Sequence, residues 1–405
     1  MDMLGSGTRS YLGAGFVLAL SVRLLTTALV IVIPLFAIAS LAVTTSEAGV
    51  FVLLLWVGNA AGVAAAVLAL RNQSYASVGG FCLVALSMFG LGLGGRSLAP
   101  LFMLTSGAGV GLPQPFLSAL MYQDSSPGRP FSGLGLYSTA LGAGLILGPL
   151  VAYGAYPLYG FAGVFFALSA VCAVGVAGAA LGHPSASIRP RPPTPSPIAW
   201  KEAFRGRAFR TAVLVNFLYS LLLPVFLSYG SIYAERAFGF APTDALLLFS
   251  LVFAVSVALR LLAVRSKGRL DRLLLASVAL LVVSSLMLGL APTWQYFVAG
   301  MLLFSVPHAF VFPISNYHAL SYAGGDVMNA SYAFQASSAA AEFVTPAAAV
   351  LLIPFVGVHG LFLAGTILAV GALIAALPSG DGGEESTPGA ATMEPPPKGR
   401  PVPGL

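Results

Sequence analysis

Between Ser331 and Pro346 the chain reads SYAFQASSAAAEFVTP, and Ser331, Gln335, Ser338, Glu342 and Thr345 fall four, three, four and three residues apart. That spacing puts all five on one helical face. A carboxylate in such a stripe, inside an apolar segment, can take up and release a proton, or it can stay ionised and pair with a cation. The structural alternative is a protonated or hydrogen-bonded Glu342 that helps helices pack. His308, in FSVPHAFVFPISNYH, is the imidazole best placed to share a proton or hydrogen bond with it, if the two helices face each other. Asn216, Tyr219, Gln114 and Asn59 offer hydrogen bonds to a solute, or to neighbouring helices. Arg23 is the remaining charged candidate, with a choice between lining a cavity and snorkelling to lipid headgroups.

Other chemistries find no footing. There is no HExxH, no GxSG paired with a histidine and no GxxxxGK[ST], so neither an intramembrane enzyme nor ATP-driven pumping is expected. The cysteines, Cys82 and Cys172, lack metal-ligand spacing. No metal and no bound cofactor are expected; a proton or sodium gradient is the expected energy source.

The elements that must position these residues are membrane helices. With 58% hydrophobic and 8% charged residues, the chain carries more apolar surface than one soluble core can hide. Apolar runs of about 20 residues, enough to cross roughly 30 Å of hydrocarbon, recur along it. Twelve are legible: 16–43, 49–70, 75–95, 98–121, 131–153, 158–181, 209–234, 243–264, 272–290, 293–320, 327–352 and 355–377. The first is too long for a signal-peptide core and reads as a retained helix.

Lys and Arg concentrate in alternate loops, which leaves Arg96 and Arg236 as the outside cations and puts both termini in the cytoplasm. The net charge of +6 is therefore a sign of membrane sidedness, not of a nucleic-acid partner. The proline-rich, then basic, segment 182–208 reads as a cytoplasmic linker with a short interfacial helix carrying Trp200. It separates a six-helix unit, 1–181, from a second, 209–377. The tail, 378–405, is too poor in large apolar residues to pack and is expected to be a disordered cytoplasmic tail.

The two units look duplicated at an offset near 197 residues. TSEAG around Glu47 matches PTDAL around Asp244, and Gly148-Pro149 matches Thr345-Pro346. Mid-span prolines recur every third helix: Pro34, then Pro113 and Pro115, Pro224, and Pro307 with Pro313. Each frees a backbone carbonyl, which a membrane helix tolerates where neighbours or a wet cavity satisfy it.

On these features the chain resembles the major facilitator superfamily, and its drug and multi-substrate efflux branch in particular. GLYSTALGAGLILGPLVAY in the fifth span, with Gly135, Gly144, Gly148 and Pro149, resembles the family's antiporter signature, and Pro346 stands at the matching place in the second unit. The resemblance implies twelve helices in two bundles of three-helix repeats, alternating access to a midplane site, and a hinge in the fifth span facing the partner bundle. The family's loop motif between the second and third spans survives only as Arg71. The buried arginine of the fourth span is missing, with Thr105, Gly107 and Gly109 in its place.

The expectation is an all-α membrane protein, monomeric, in the cytoplasmic membrane. It would move a small solute by alternating access, with proton-coupled efflux of an apolar or cationic compound favoured. Uptake or uniport of a small organic anion or sugar, and a receptor of the same fold that transports nothing, are the alternatives.

Overall fold

The computed structural model describes residues 6–68, 73–114, 117, 131–181, 204–264, 270–321 and 327–377. Arg71, Pro115, most of the 182–208 linker with Trp200, and the 378–405 tail lie outside them. The described residues are helical apart from short turns: α1 (Ser6–Leu41), α2 (Thr45–Leu68), α3 (Gln73–Gly92), α4 (Ala99–Gly111), α5 (Phe131–Leu181), α6 (Arg207–Pro224), α7 (Gly230–Phe238), α8 (Pro242–Val264), α9 (Leu270–Gly289), α10 (Trp294–Ser321) and α11 (Val327–Ala376). Nine stretches among them are long and apolar enough to cross a membrane.

Two of those stretches are doubled. α5 is broken at Tyr159 and Gly160, where Gly160 takes φ +58°, and α11 is broken at Gly357, with φ +66°. A left-handed residue ends the helical ladder, and glycine takes that conformation without the Cβ clash other residues meet. Each of these elements is thus two apolar rods joined at a sharp turn.

Packing divides the rods into two groups. In the first half α1 lies along α5, α2 along α4, and α3 against both α4 and α5; in the second, α6 lies along α11, and α9 against α10 and α11. The α2–α4 seam is backbone on backbone. A Cβ added at Gly58 would stand 2.0 Å from the Leu104 carbonyl oxygen, and one at Gly107 2.0 Å from that of Leu55. Small residues let membrane helices approach this closely, where packing supplies the attraction.

The duplication is visible in contacts. α2 opens with Glu47 accepting from the Thr44 amide at 2.8 Å, and α8 opens with Asp244 accepting from the Ala241 amide at 3.1 Å. Further along, a Cβ at Gly148 would touch the Leu24 oxygen at 2.7 Å, while Thr345 donates to the Leu221 oxygen at 2.6 Å. In both cases the two members of each pair are 197 residues apart.

Between the halves, α5 meets α8, α2 meets α11, and α1 meets α7 with the π-turn Val225–Tyr229 before it. Two cross-half hydrogen bonds lie at the 42–44 turn, Ser46 Oγ to Val350 O at 2.9 Å and Arg236 to Val43 O at 3.3 Å, and a third, Ser228 Oγ to Val30 O at 3.0 Å, lies further in along α1. There α1 is buried on every side from Leu24 to Ile38, so the two halves are closed together at this end.

Among the rings near span ends, where aromatic side chains favour the membrane–water interface, Tyr153, Tyr159, Trp294 and Tyr296 are exposed. Trp56 instead is buried, and Tyr233 packs edge-on against Phe238 and Phe297.

Candidate functional site

α11 is fastened to α6 on both sides of Glu342. On one side Asn216 Nδ2 donates to Ser338 Oγ at 2.6 Å, and Ser338 in turn donates to Phe334 O at 3.2 Å. On the other, Thr345 takes the Leu221 carbonyl. That carbonyl is available because the Val225 amide, just past Pro224, turns to Leu222 O, one residue short of the α-helical acceptor. Glu342 is held between these two fastenings, partly buried, and makes no hydrogen bond or ion pair among the described residues. Pro346 has no amide to give the Glu342 backbone carbonyl, so the residue presents acceptors from both its side chain and its main chain.

Tyr219, one turn beyond Asn216 on α6, is fully packed, and its hydroxyl lies 2.6 Å from His308 Nδ1. The tautomer of His308 decides which of the two donates. His308 sits in an aromatic column: Phe226 stacks on Phe304 at 3.7 Å between centroids, and Phe304 stacks on His308 at 5.8 Å. The expected His308–Glu342 contact is not formed; the imidazole turns to Tyr219, and Tyr219 is the neighbour that feels Glu342.

Arg260 is a site residue that the positive-inside pattern hid. Read from sequence it marks the inner end of its span. Here its guanidinium forks onto α10, Nε to Ala309 O at 3.0 Å and Nη2 to His308 O at 2.6 Å. Ala309 is four residues before Pro313, so its carbonyl is the one that proline leaves without a donor. The signal was therefore in the sequence: a proline that frees a carbonyl next to a mid-helix histidine calls for a donor.

Arg23 comes from α1, in the other half. Its Cβ is seated where a side chain at Gly144 would be, 2.8 Å from the position of an added Cβ. Gly144 and Gly148 thus pack on α1, within their own half, and not on the partner bundle as the resemblance implied; Gly142 is the glycine of α5 that faces the other half, at Val257. The close α1–α5 seam, with Pro149 buried beside it, fixes where Arg23 emerges. From there the guanidinium acts through space on Glu342, Tyr219, His308 and Arg260, without a hydrogen bond or ion pair to any of them among the described residues.

The remaining candidates stand apart. Asn59 is buried in the α2–α4 seam with Nδ2 unpartnered, Gln114 is partly buried just past the end of α4, and Gln335 is exposed. None of the three touches the Glu342 cluster. Gly135 lies in the α5 backbone, and the side chain of Ser331 lies outside the described residues. Among the described residues no three His, Cys, Asp or Glu side chains gather as a metal site.

A junction of two helical halves that holds one carboxyl, two guanidinium groups and a Tyr–His pair suits reversible binding of a small charged group. The Major Facilitator Superfamily model matches residues 124–341, more than half of the chain. The chain belongs to that superfamily. It is a membrane transporter and not an enzyme. No curated protein matches its sequence.

Similar solved structures include a peptide transporter of the POT family in complex with sulfate, at TM-score 0.68 and 12% identity over 90% of this chain and 92% of that one. A D-xylose-proton symporter matches at TM-score 0.68 and 16% identity over 92% and 96%. The human organic anion transporter MFSD10 matches at TM-score 0.64 and 19% identity over 91% and 99%. At these identities the likeness is one of fold.

Proposed function

We propose that this protein is a proton-coupled secondary transporter with twelve spans in two bundles, and that Glu342 is its coupling residue. The observation that carries the reading is the state of that side chain: a carboxyl held between two helix-to-helix fastenings, with no partner of its own among the described residues, within the electrostatic range of an arginine from the opposite half. A carboxyl buried for structure alone is ordinarily hydrogen-bonded, since an unpartnered charge in apolar surroundings is costly. One that must change protonation during a cycle is left accessible. The breaks in α5 and α11 support twelve spans, and the Lys and Arg distribution supports a cytoplasmic-membrane protein, monomeric, with both termini inside.

Export, implied by the α5 signature, rests on that resemblance. An apolar or cationic solute, favoured by composition, fits the site less well, because Arg23 and Arg260 outnumber Glu342. Reconstituted protein given an imposed pH gradient tests the reading: gradient-driven solute flux that Glu342→Gln abolishes supports it, and flux that is indifferent to both gradient and substitution removes it.

A further inference from the structure

The charges around Glu342 do not balance. Arg260 holds the His308 carbonyl, Arg23 acts on the Tyr219–His308 pair through space, and Glu342 is the one carboxyl in that group among the described residues. Arg260 is occupied, its fork closed on two carbonyls of α10. Arg23 is not. Its Nε is buried without a partner, it makes no hydrogen bond among the described residues, and Glu342 lies beyond the 4.0 Å of an ion pair. Snorkelling would bring the head group to water or lipid phosphates, whereas here the Nε is buried. A buried guanidinium nitrogen without an acceptor is costly, and the planar fork it belongs to is suited to carboxylate and phosphate oxygens.

We propose that Arg23 and Glu342 form a socket for a small organic anion that crosses together with one proton, an inference that rests on Glu342 being the coupling residue. With Glu342 ionised, its carboxylate attracts Arg23 and repels an incoming anion. A proton moving from solvent onto a Glu342 carboxyl oxygen removes both effects, and the anion then takes Arg23. One positive charge arrives on Glu342 and one negative charge beside Arg23, so the loaded site carries the same net charge as the empty one. Proton and anion therefore favour each other's binding, which is the logic of symport.

The groups that act on Glu342 or on its neighbour Tyr219 are Arg23 on α1, with Arg260 on α8 and His308 on α10 around Tyr219 on α6; α9, also packed on α11, carries Asp271 and Arg272 in its first turn, where Asp271 pairs with His318. α2, also packed on α11, carries Glu47 as its one acid, at the distant helix start.

The test is thermal unfolding of the purified full chain at about pH 5.5 and about pH 8 with benzoate, succinate, glycerol 3-phosphate, tetraphenylphosphonium or D-xylose added at a series of concentrations. One or more of the anions raises the melting temperature, with higher affinity at the acid pH. Arg23→Gln weakens that binding roughly 10- to 100-fold, and Arg23→Lys, which keeps the charge without the fork, weakens it less. The anion socket is overturned if only the cation or the sugar stabilises, if no anion does, or if the anion effect survives in Arg23→Gln; should that variant fail to fold, undiminished binding in Arg23→Lys at both pH values overturns it. Flux separates the two readings: gradient-driven transport confined to the cation or the sugar ends the socket and leaves proton coupling standing, whereas anion binding that needs Arg23 but drives no pH-dependent flux ends the coupling reading alone.

Discussion

Ser228 donates its hydroxyl to the carbonyl of Val30 at 3.0 Å, and Val30 is the residue four before Pro34 in α1. Proline has no amide to give that carbonyl, so the first half opens an acceptor and the second half fills it. The same device runs the other way, where Ser46 of the first half donates at 2.9 Å to Val350 O, the residue four before Pro354. Hydrogen bonds of this kind can part without tearing a helix, because water that enters as the halves separate can replace the serine. The prolines thus provide acceptors that serines of the other half fill in this closed arrangement.

Removing both hydroxyls should loosen that arrangement. Each bond contributes about 1 kcal/mol, so Ser46→Ala with Ser228→Ala is expected to shift the balance of closed to open forms by about 30-fold. Spin labels at Val50 on α2 and Ala237 on α7, both exposed, report the separation by pulsed dipolar spectroscopy. A longer-distance population should grow in the double variant, and an unchanged distribution would count against the latch.

Arg260 is expected to matter through α10. In Arg260→Ala the Ala309 carbonyl, which Pro313 leaves without a helical donor, loses its partner while still buried, a loss of about 1 to 3 kcal/mol. Pro313→Ala restores an amide that can serve Ala309 O, so the two substitutions together should cost less than their sum. Melting temperatures of the four proteins in one detergent form the cycle, and strict additivity would show that the fork and the proline are unrelated.

Much of this arrangement was legible beforehand, for identifiable reasons. Hydrophobic run length gave the rods, and the 197-residue offset predicted that 148 and 345, and likewise 47 and 244, do equivalent work, as their contacts confirm. What spacing along one helix cannot give is the rotation of that helix against its neighbours. Glu342 and His308 each looked central, but α6 stands so that Tyr219 takes the imidazole. Gly144 and Gly148 looked like a hinge toward the partner bundle, yet they seat α1. Arg260 was lost because a loop-proximal arginine in an inside-positive pattern already had an explanation.

The α5 glycines make a graded prediction. An added Cβ meets the Leu24 oxygen at 2.7 Å from Gly148, and Leu20 O at 2.9 Å with Arg23 Cβ at 2.8 Å from Gly144, but nothing within 4 Å from Gly154. Gly144→Ala and Gly148→Ala should therefore lower stability by about 1 to 3 kcal/mol through overpacking, while Gly154→Ala is neutral. Size-exclusion profiles after a heating series rank the three. Gly144→Ala should also weaken solute binding by moving Arg23, an effect absent from Gly148→Ala once both are compared well below their melting temperatures.

The proposed coupling role of Glu342 gives the pH response a definite sign. Coupled transport requires the carboxyl to be protonated at one stage of the cycle and ionised at another, so raising the pH on the loading side should slow gradient-driven flux as reprotonation becomes limiting. Glu342→Gln holds the side chain in a neutral, hydrogen-bonding form. It cannot release a proton, so net flux driven by a pH gradient should fall at least about tenfold, the scale on which coupling of this kind usually acts. Exchange of labelled for unlabelled solute needs only loaded carriers and should persist in the variant, with a flat dependence on pH. Exchange and net flux that fall together would mark Glu342 as a residue needed for binding or folding, and a pH-dependent exchange in the variant would place the titrating group elsewhere.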